Sequence, residues 1–298
     1  MLAYFPMDDF PPHGVIPSLL TPFDAHGNPD LDLLQSEVRL LDASGVPAVC
    51  VGGAAGEIAG STAAEYREIC TAVTATTKRP VIAGIYGDST PETLGLVEAA
   101  LSAGASALLV AQPHYLFQPA TDGLLALFQA IRKNFAAPVI IANTLPFAQL
   151  SLDQVRLLVR EKAADAICQG PSDMHLLADF LAMEPHVPVF TGIEELMFVA
   201  FALGAEGAIV SLASLLPNEC LELHDAVRRR DFKQARAIHE RLLRIWRALD
   251  HPGEFLARIK FAASERNMPV GVARGPFDLL SAHSAAEVQK ALAAEGKL

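Results

Sequence analysis

Cysteine is scarce in this 298-residue sequence, and its spacing excludes the common cysteine-based sites. No two of the four cysteines form a CxxC pair, which argues against a zinc ribbon and against a redox dithiol. A disulfide scaffold is typical of much shorter secreted chains. We therefore expect four reduced thiols, and these are Cys50, Cys70, Cys168 and Cys220.

The sequence also lacks a basic stripe and long apolar runs. Its formal net charge is −11, with acidic and basic residues mixed along the chain, which argues against nucleic-acid binding. No apolar run reaches the roughly 20 residues that a membrane-spanning helix needs. The first residues, MLAYFPMDDFPPHG, lack the basic and apolar regions of a signal peptide. The sequence thus predicts a cytoplasmic protein with no membrane or nucleic-acid partner.

What the sequence has in abundance is hydrophobic residues, 51% of the chain, arranged in a recurring pattern. A helical stretch ends in a small residue and glycine, and a short apolar run follows, in residues 43–53, 102–112 and 202–212. Glycine caps the end of a helix, and a continuous apolar run suits a strand buried on both faces. In three further places a proline opens the apolar run, as is tolerated at the first residue of a strand.

This pattern predicts eight strands that alternate with helices, and therefore a parallel sheet. The strands start near residues 14, 47, 80, 107, 138, 164, 188 and 207. Eight units favour an α/β fold of the (β/α)₈ TIM-barrel type, and no GxGxxG follows the first strand to favour an open, doubly wound sheet. We assign residues 1–214 to the barrel and residues 215–298 to a C-terminal helical extension packed on it, as one structural unit.

Several segments resemble the dihydrodipicolinate synthase and N-acetylneuraminate lyase family, in order along most of the chain. Residues Gly53-Ala54-Ala55-Gly56-Glu57 resemble the family's Gly-Ser/Thr-Thr-Gly-Glu loop. The family's first strand and the following loop resemble the segment GVIPSLLTPFDAHGNPDLD. Its fourth strand resembles ALLVAQPHY, and its late helix resembles RIKFAASERNMPVGVARGPFDLLS. The resemblance implies a lyase-type barrel with its ligand at the C-terminal mouth and, commonly, a homotetramer.

The resemblance also exposes a departure, because the family forms an imine between a lysine on the sixth strand and a 2-keto acid. Cys168 stands in that lysine's place. Ala54 and Ala55 offer no hydroxyls where the family binds the keto-acid carboxylate, and Ala142 stands where it has a catalytic tyrosine. The arginine expected shortly after the fifth strand is missing too. By the predicted strand positions, none of the seven lysines lies on a strand or at its C-terminal end, so standard class I aldolase activity is not expected.

The candidate catalytic residues are Tyr115, Cys168 and Glu57. In the family, the tyrosine after the fourth strand comes from a neighbouring subunit, so Tyr115 is a proton donor, an interface residue, or both. Glu57 is either a general base or an acceptor of backbone N–H groups that fixes its loop. The candidate ligand-binding residues at strand ends and in the following loops are Thr21, Ala54, Ala55, Asn143, Gly192 and Ser211.

Two alternatives remain open for the chemistry of this site. Cys168 is a nucleophile or a soft metal ligand, the former if His114 or His175 approaches it, or else a small buried thiol that fills a lysine's space. Asp173, Glu194 and Glu195 are metal ligands or ordinary helix-start carboxylates, and their spacing favours the second interpretation. We expect no metal and no cofactor.

The sequence therefore predicts a lyase-family protein that binds a small keto acid or a sugar-acid-like ligand without imine chemistry through lysine. The alternatives are a non-catalytic binding or regulatory paralogue, and an enzyme of another class such as a hydratase or a metal-assisted lyase. Leu116 and Phe117 follow Tyr115 in a strand-end loop that is poorly suited to solvent. We therefore expect a homo-oligomer, a dimer or a tetramer, in which Tyr115 or Phe117 is buried between subunits, or else a loop that folds over its own barrel mouth.

Overall fold

Eight short parallel strands are paired side by side in the computed structural model, which describes residues 10–114, 116–170, 173–268 and 270–295. The strands are β1 Gly14–Pro17, β2 Val49–Val51, β3 Val81–Ile85, β4 Ala107–Val110, β5 Val139–Asn143, β6 Ala166–Gln169, β7 Val189–Thr191 and β8 Gly207–Val210. Each begins within two residues of its predicted start. The predicted strand pattern is therefore confirmed.

The sheet closes on itself at β1. Residues of β1 pair in register with β8, from Gly14 with Gly207 onward, and Ser18 forms a parallel bridge to Cys50 of β2. The closure needs glycine at 207, because a Cβ there would lie 1.8 Å from the carbonyl oxygen of Gly14. The result is a (β/α)₈ barrel, as predicted.

Helices surround this barrel and continue after it. They are α1 Leu31–Ala43, α2 Ala63–Thr76, α3 Thr90–Ser102, α4 Thr121–Asn134, α5 Leu152–Arg160, α6 Met174–Leu181, α7 Met197–Leu203, α8 Leu212–Leu215, α9 Pro217–Arg228, α10 Phe232–Leu249, α11 Phe255–Glu265 and α12 Ala282–Ala294. Among the residues described, no helix has both the length and the hydrophobicity that crossing a bilayer requires.

Local sequence signals set the starts of several helices. Thr62 and Ser89 accept hydrogen bonds from the backbone N–H groups of Glu65 and Glu92, and Ser151 forms a complete capping box with Gln154. Helix α9 packs against β1 and α7 and so completes the outer layer of helices. The division of the chain at residue 214 stays a prediction, and α9 shows how closely the two parts are joined.

Two apolar cores hold the barrel together. Inward-facing side chains from alternate strand positions, such as Ile16, Ile82, Ile140 and Phe190, fill the barrel interior. Outward-facing side chains pack against the helices in a larger second core. Because the interior is filled by side chains, a ligand can enter only above this layer, at an end of the barrel.

Candidate functional site

A cavity of about 410 Å³ lies at the C-terminal ends of the strands. Its floor is formed by inward-facing strand residues, and one wall comes from the end of α10 and the start of α11. This is the end of a (β/α)₈ barrel at which active sites are built. The cavity is lined by Ser18, Gly53, Tyr86, Leu109, Thr144, Leu145, Pro146, Cys168, Gly170, Gly192, Ile193, Glu194, Glu195, Ile209, Ser211, Trp246, Asp250 and Phe255.

Cys168 lies near the C-terminal end of β6, where it is buried at the floor of this cavity. Gly192 on the neighbouring strand end leaves room for it, since a Cβ at 192 would lie 3.2 Å from the Cys168 sulfur. Burial raises the pKa of the Cys168 thiol, and neither His114 nor His175 lines the cavity. The thiol is therefore protonated at neutral pH, which favours the interpretation of Cys168 as a small buried side chain.

Four hydroxyl-bearing residues line the cavity: Ser18, Tyr86, Thr144 and Ser211. Burial raises the pKa of Tyr86, whose hydroxyl lies beside that of Thr144. The Ser18 side chain is only 3% exposed, and its hydroxyl has no hydrogen-bond partner among the described residues. A buried hydroxyl without a partner is costly, so the hydrogen bond that Ser18 lacks is available to a ligand.

Carboxyl groups form the cavity's charged lining. Glu194 begins a short 3₁₀ turn after β7, and its Oε1 accepts the backbone N–H of Ser211 at 3.0 Å. Burial raises the pKa of Glu194 to about 7, while hydrogen bonds from backbone N–H groups oppose the shift. Glu195 and Asp250 line the same cavity, and no lysine, arginine or histidine does so within the described part of the chain.

Asn143, predicted to bind ligand, does not line the cavity. Consecutive residues of a strand point to opposite faces, so Ala142 points into the barrel and Asn143 points toward the surrounding helices. There its amide accepts the backbone N–H of Leu150 at 2.7 Å and donates to the side chain of Gln169 at 2.7 Å. Asn143 thus joins the end of β5 to β6 and to the start of α5.

Two other predicted residues of the first two loops also lie away from the cavity. Ala55 is buried in the core between the sheet and the helices, and Thr21 lies beneath the second loop, where its carbonyl accepts a hydrogen bond. The backbone of Ala54 forms a 3₁₀ turn with Ala55 and Gly56. Of the predicted catalytic and ligand-binding residues, the cavity brings together Cys168, Gly192 and Ser211, and it also contains Glu194 and Glu195 from the candidate metal ligands.

Glu57 belongs to a buried ionic network outside the cavity. Its backbone is left-handed, with φ of 55°, and its carboxylate forms an ion pair of 2.5 Å with Lys260 of α11. The Lys260 ammonium group also donates to the carbonyl oxygens of Thr21 and Val272, at 2.6 and 2.8 Å. Both charged side chains are less than 5% exposed. This geometry supports the structural interpretation of Glu57, which fixes its loop.

Arg274 extends this network at the far end of the chain. Its backbone N–H donates to Glu57 at 2.7 Å, and its guanidinium group forms an ion pair with Glu65. The guanidinium carbon lies 4.2 Å from the ring centre of Phe23, and the Lys260 nitrogen lies 4.8 Å from it. Such cation–π contacts strengthen when the cation is removed from water. We refer to Glu57, Lys260, Arg274 and Phe23 as the Glu57–Lys260 network.

Two other sequence predictions concern Tyr115 and Asp173. Tyr115 lies outside the described residues. Asp173 caps α6 by accepting the backbone N–H of Leu176, so it is a helix-start carboxylate. Within the described ranges, no group of three or more histidine, cysteine, aspartate or glutamate residues is arranged to hold a metal ion.

Sequence reasoning missed several cavity residues. Tyr86 comes directly after β3, and its side chain points inward like that of Ile82. The alternation of side chains along the strand could therefore have identified it. Trp246, Asp250 and Phe255 come from segments beyond the barrel. No local pattern shows that those segments reach the mouth.

Comparison with known proteins identifies relatives along nearly the whole chain. The Dihydrodipicolinate synthetase family matches residues 11–295. The 4-hydroxy-tetrahydrodipicolinate synthase of Methanospirillum hungatei is 29% identical over 287 residues, covering 94% of this chain and 98% of the relative. That of Hyphomonas neptunium is 31% identical over 295 residues, covering 95% and 98%. The crystal structure of YagE from E. coli K12, a member of this family in complex with pyruvate, superposes with a TM-score of 0.90 at 25% identity, covering 96% of this chain and 99% of YagE.

Proposed function

The chain belongs to the dihydrodipicolinate synthetase family, a lyase family, and from this premise we propose that it binds a small organic ligand at the barrel mouth without forming a lysine imine. The ligand occupies the cavity above Cys168. Imine chemistry needs an amine nucleophile that can reach a bound carbonyl group. The proposal therefore concerns which nucleophiles the cavity offers.

The observation that supports the proposal is the position of Cys168. It lies at the cavity floor on β6, on the strand from which the family's lysine reaches its ligand. No lysine lines the cavity within the described part of the chain. Lys260 lies close to the first two loops, but its ammonium group is held by Glu57 and by two backbone carbonyls. It is not free to attack a ligand.

The cavity suits a ligand with several hydroxyl groups. Its hydroxyl-bearing residues offer donors and acceptors around an apolar floor, the usual composition of a small-molecule site. A volume of about 410 Å³ lies within the range of such sites. Of the two ligand types predicted from sequence, a keto acid and a sugar acid, the lining favours the hydroxylated skeleton of the second.

A second candidate is an enzyme of another reaction class, such as a hydratase. Glu194 favours it, because a carboxyl group with a pKa of about 7 exchanges protons readily at neutral pH. Proton NMR of a bound sugar derivative, recorded before and after incubation, separates this candidate from a binding protein. A chemically altered ligand indicates catalysis, and an unaltered one indicates binding alone.

Treatment of the protein with pyruvate and borohydride tests the imine directly. We expect the intact mass to remain unchanged, because borohydride traps only an imine and none of the described lysines lines the cavity. A family member that has the sixth-strand lysine serves as the positive control. A stoichiometric adduct on any lysine of this chain, located by peptide mapping, would contradict the proposal.

We also propose that the protein is a cytoplasmic homo-oligomer, as the sequence predicts. Leu116 and Phe117, in the loop after β4, are 75% and 81% exposed in the single chain, and Phe147 is exposed beside them. None of these three side chains lines the cavity. Adjacent apolar side chains in water commonly mark an interface, and closed symmetric oligomers are the usual result.

Light scattering at micromolar concentration is expected to give the mass of a dimer or tetramer. Replacing Leu116 and Phe117 together by serine should shift that mass toward the monomer, because it removes apolar area from the proposed interface. Phe277→Ser is the matched control, since Phe277 is also exposed but lies in the segment after α11. A wild-type monomer would refute the oligomer, and an unchanged mass in the double variant would place the interface elsewhere.

A further inference from the structure

The cavity carries negative charge and no positive charge within the described residues that line it. Glu194, Glu195 and Asp250 bring three carboxyl groups to one side, from the turn after β7 and from the end of α10. Glu194 is only 8% exposed and is held in place by the backbone N–H of Ser211. A ligand carboxylate placed here would meet like charge in a partly desolvated space, where charges interact more strongly than in water.

The rest of the cavity lining offers hydroxyl groups. The unpartnered hydroxyl of Ser18 is almost fully buried where it lines the cavity, and it lies beside Gly53. A Cβ at position 53 would lie 2.0 Å from that hydroxyl, so glycine keeps the space around it open. Tyr86 and Thr144 add two more hydroxyls to the lining. A ligand hydroxyl would satisfy the hydrogen bond that Ser18 lacks.

We infer that the cavity takes a polyhydroxylated ligand whose end near Glu194 is a protonated amine, and that it discriminates against the carboxylate of a keto acid or sugar acid. The inference rests on the proposed function, because it assumes that the ligand binds at the barrel mouth. It goes further by assigning the charge of the ligand. The ammonium end lies against Glu194, and the hydroxylated skeleton extends toward Ser18 and Tyr86.

Glu194 makes this preference dependent on pH. The titratable groups around it are Glu195 on the same turn, Cys168 on β6 and Cys220 on α9. Asp250 and His239 interact in turn with Glu195, and His251 interacts with Asp250. Since burial raises the pKa of Glu194 to about 7, its carboxyl group is mostly neutral at about pH 6 and mostly charged at about pH 8. Amine affinity should therefore rise about tenfold across this interval, because the charged fraction of the Glu194 carboxyl group rises from about one-tenth to about nine-tenths.

Isothermal calorimetry with three matched probes tests the inference on the full chain. Glucamine, sorbitol and gluconate share a hydroxylated six-carbon skeleton and differ at the first carbon, which is an aminomethyl carbon, a hydroxymethyl carbon or the carboxylate carbon. We expect glucamine to bind most tightly at about pH 8, sorbitol more weakly and gluconate least. Pyruvate, as a fourth probe, should bind no better than gluconate.

Glu194→Gln isolates the charge. It keeps an oxygen acceptor for Ser211, so glucamine should lose about tenfold in affinity, together with its pH dependence, while sorbitol binding stays unchanged. Glu184→Gln is the matched control, because it removes the same charge from an exposed position ahead of β7, away from the cavity. If Glu194→Gln does not fold, Asp250→Asn removes an exposed carboxylate of the same cavity and should weaken glucamine in the same direction.

The outcomes separate this inference from the proposed function. Gluconate or pyruvate binding as tightly as glucamine, without a lysine adduct, overturns the charge assignment and leaves the proposed function standing. Unchanged glucamine affinity in a folded Glu194→Gln also overturns it. A lysine adduct with pyruvate overturns the proposed function. Absence of binding by all four probes at their solubility limits overturns both.

Discussion

Replacement of Lys260 by methionine is expected to lower the free energy of unfolding by about 3–5 kcal/mol, the usual cost of removing one partner from a buried ion pair. Methionine matches the length of the lysine stem but leaves the buried Glu57 carboxylate without its counter-ion. The carbonyl groups of Thr21 and Val272 lose their donor at the same time. Chemical denaturation of wild type and variant, followed by circular dichroism, measures the difference.

Lys290→Met provides the matched control, since Lys290 is exposed on α12 and its replacement should change stability by no more than about 0.5 kcal/mol. Adding Glu57→Gln to Lys260→Met should recover part of the loss, because the uncompensated charge is then removed. Equal effects of Lys260→Met and Lys290→Met would show that the Glu57–Lys260 network contributes little to stability.

Cys168→Lys is expected to restore at most an imine, not an aldolase. The new lysine would reach the cavity from the floor of the barrel, and borohydride with pyruvate should trap it. Turnover should stay about 10²–10⁴-fold below that of a working enzyme, because general acid–base catalysis is missing. Ala142 has no phenol to move a proton, and Ala54 and Ala55 have no hydroxyls. Intact mass and a coupled aldolase assay measure the two steps separately.

Cys168→Met is the control for this variant, because it extends the side chain without adding an amine and should give neither adduct nor turnover. Aldolase turnover in Cys168→Lys within about tenfold of the 10 s⁻¹ typical of enzymes would contradict the expectation. It would mean that other groups of the cavity, such as Tyr86, supply the proton transfer assigned to the missing tyrosine.

The barrel fold could be predicted from the sequence because the patterns that mark its helix ends and strand starts are local and repeated. A glycine that ends a helix and a proline that opens a strand act over a few residues, so each strand start could be placed independently of the others. The same holds for helix starts such as Ser89 and Ser151, whose caps depend on residues three positions away. Errors in one unit do not affect the next.

The residues that line the cavity were harder to predict, because a position near a strand end does not determine which way a side chain points. Asn143 and Ala142 are neighbours on β5, and a shift of one residue moves a side chain from the barrel interior to the side that faces the helices. Glu194 was recognised only as a possible metal ligand or helix-start carboxylate. Its burial against Ser211 depends on how the turns after β7 and β8 meet, which short sequence patterns do not encode.

The Glu57–Lys260 network has a consequence for the order in which the chain is made. Glu57 contacts Arg274, which is 217 positions later, and Thr21 contacts Lys260, which is 239 positions later. A ribosome adds roughly 5–20 residues each second, so Lys260 and Arg274 are synthesised roughly ten seconds or more after the second loop. Contacts of such long range also slow folding, because the intervening chain must be closed into a loop first. The mouth of the barrel therefore takes its final shape late in biosynthesis, after most of its wall exists.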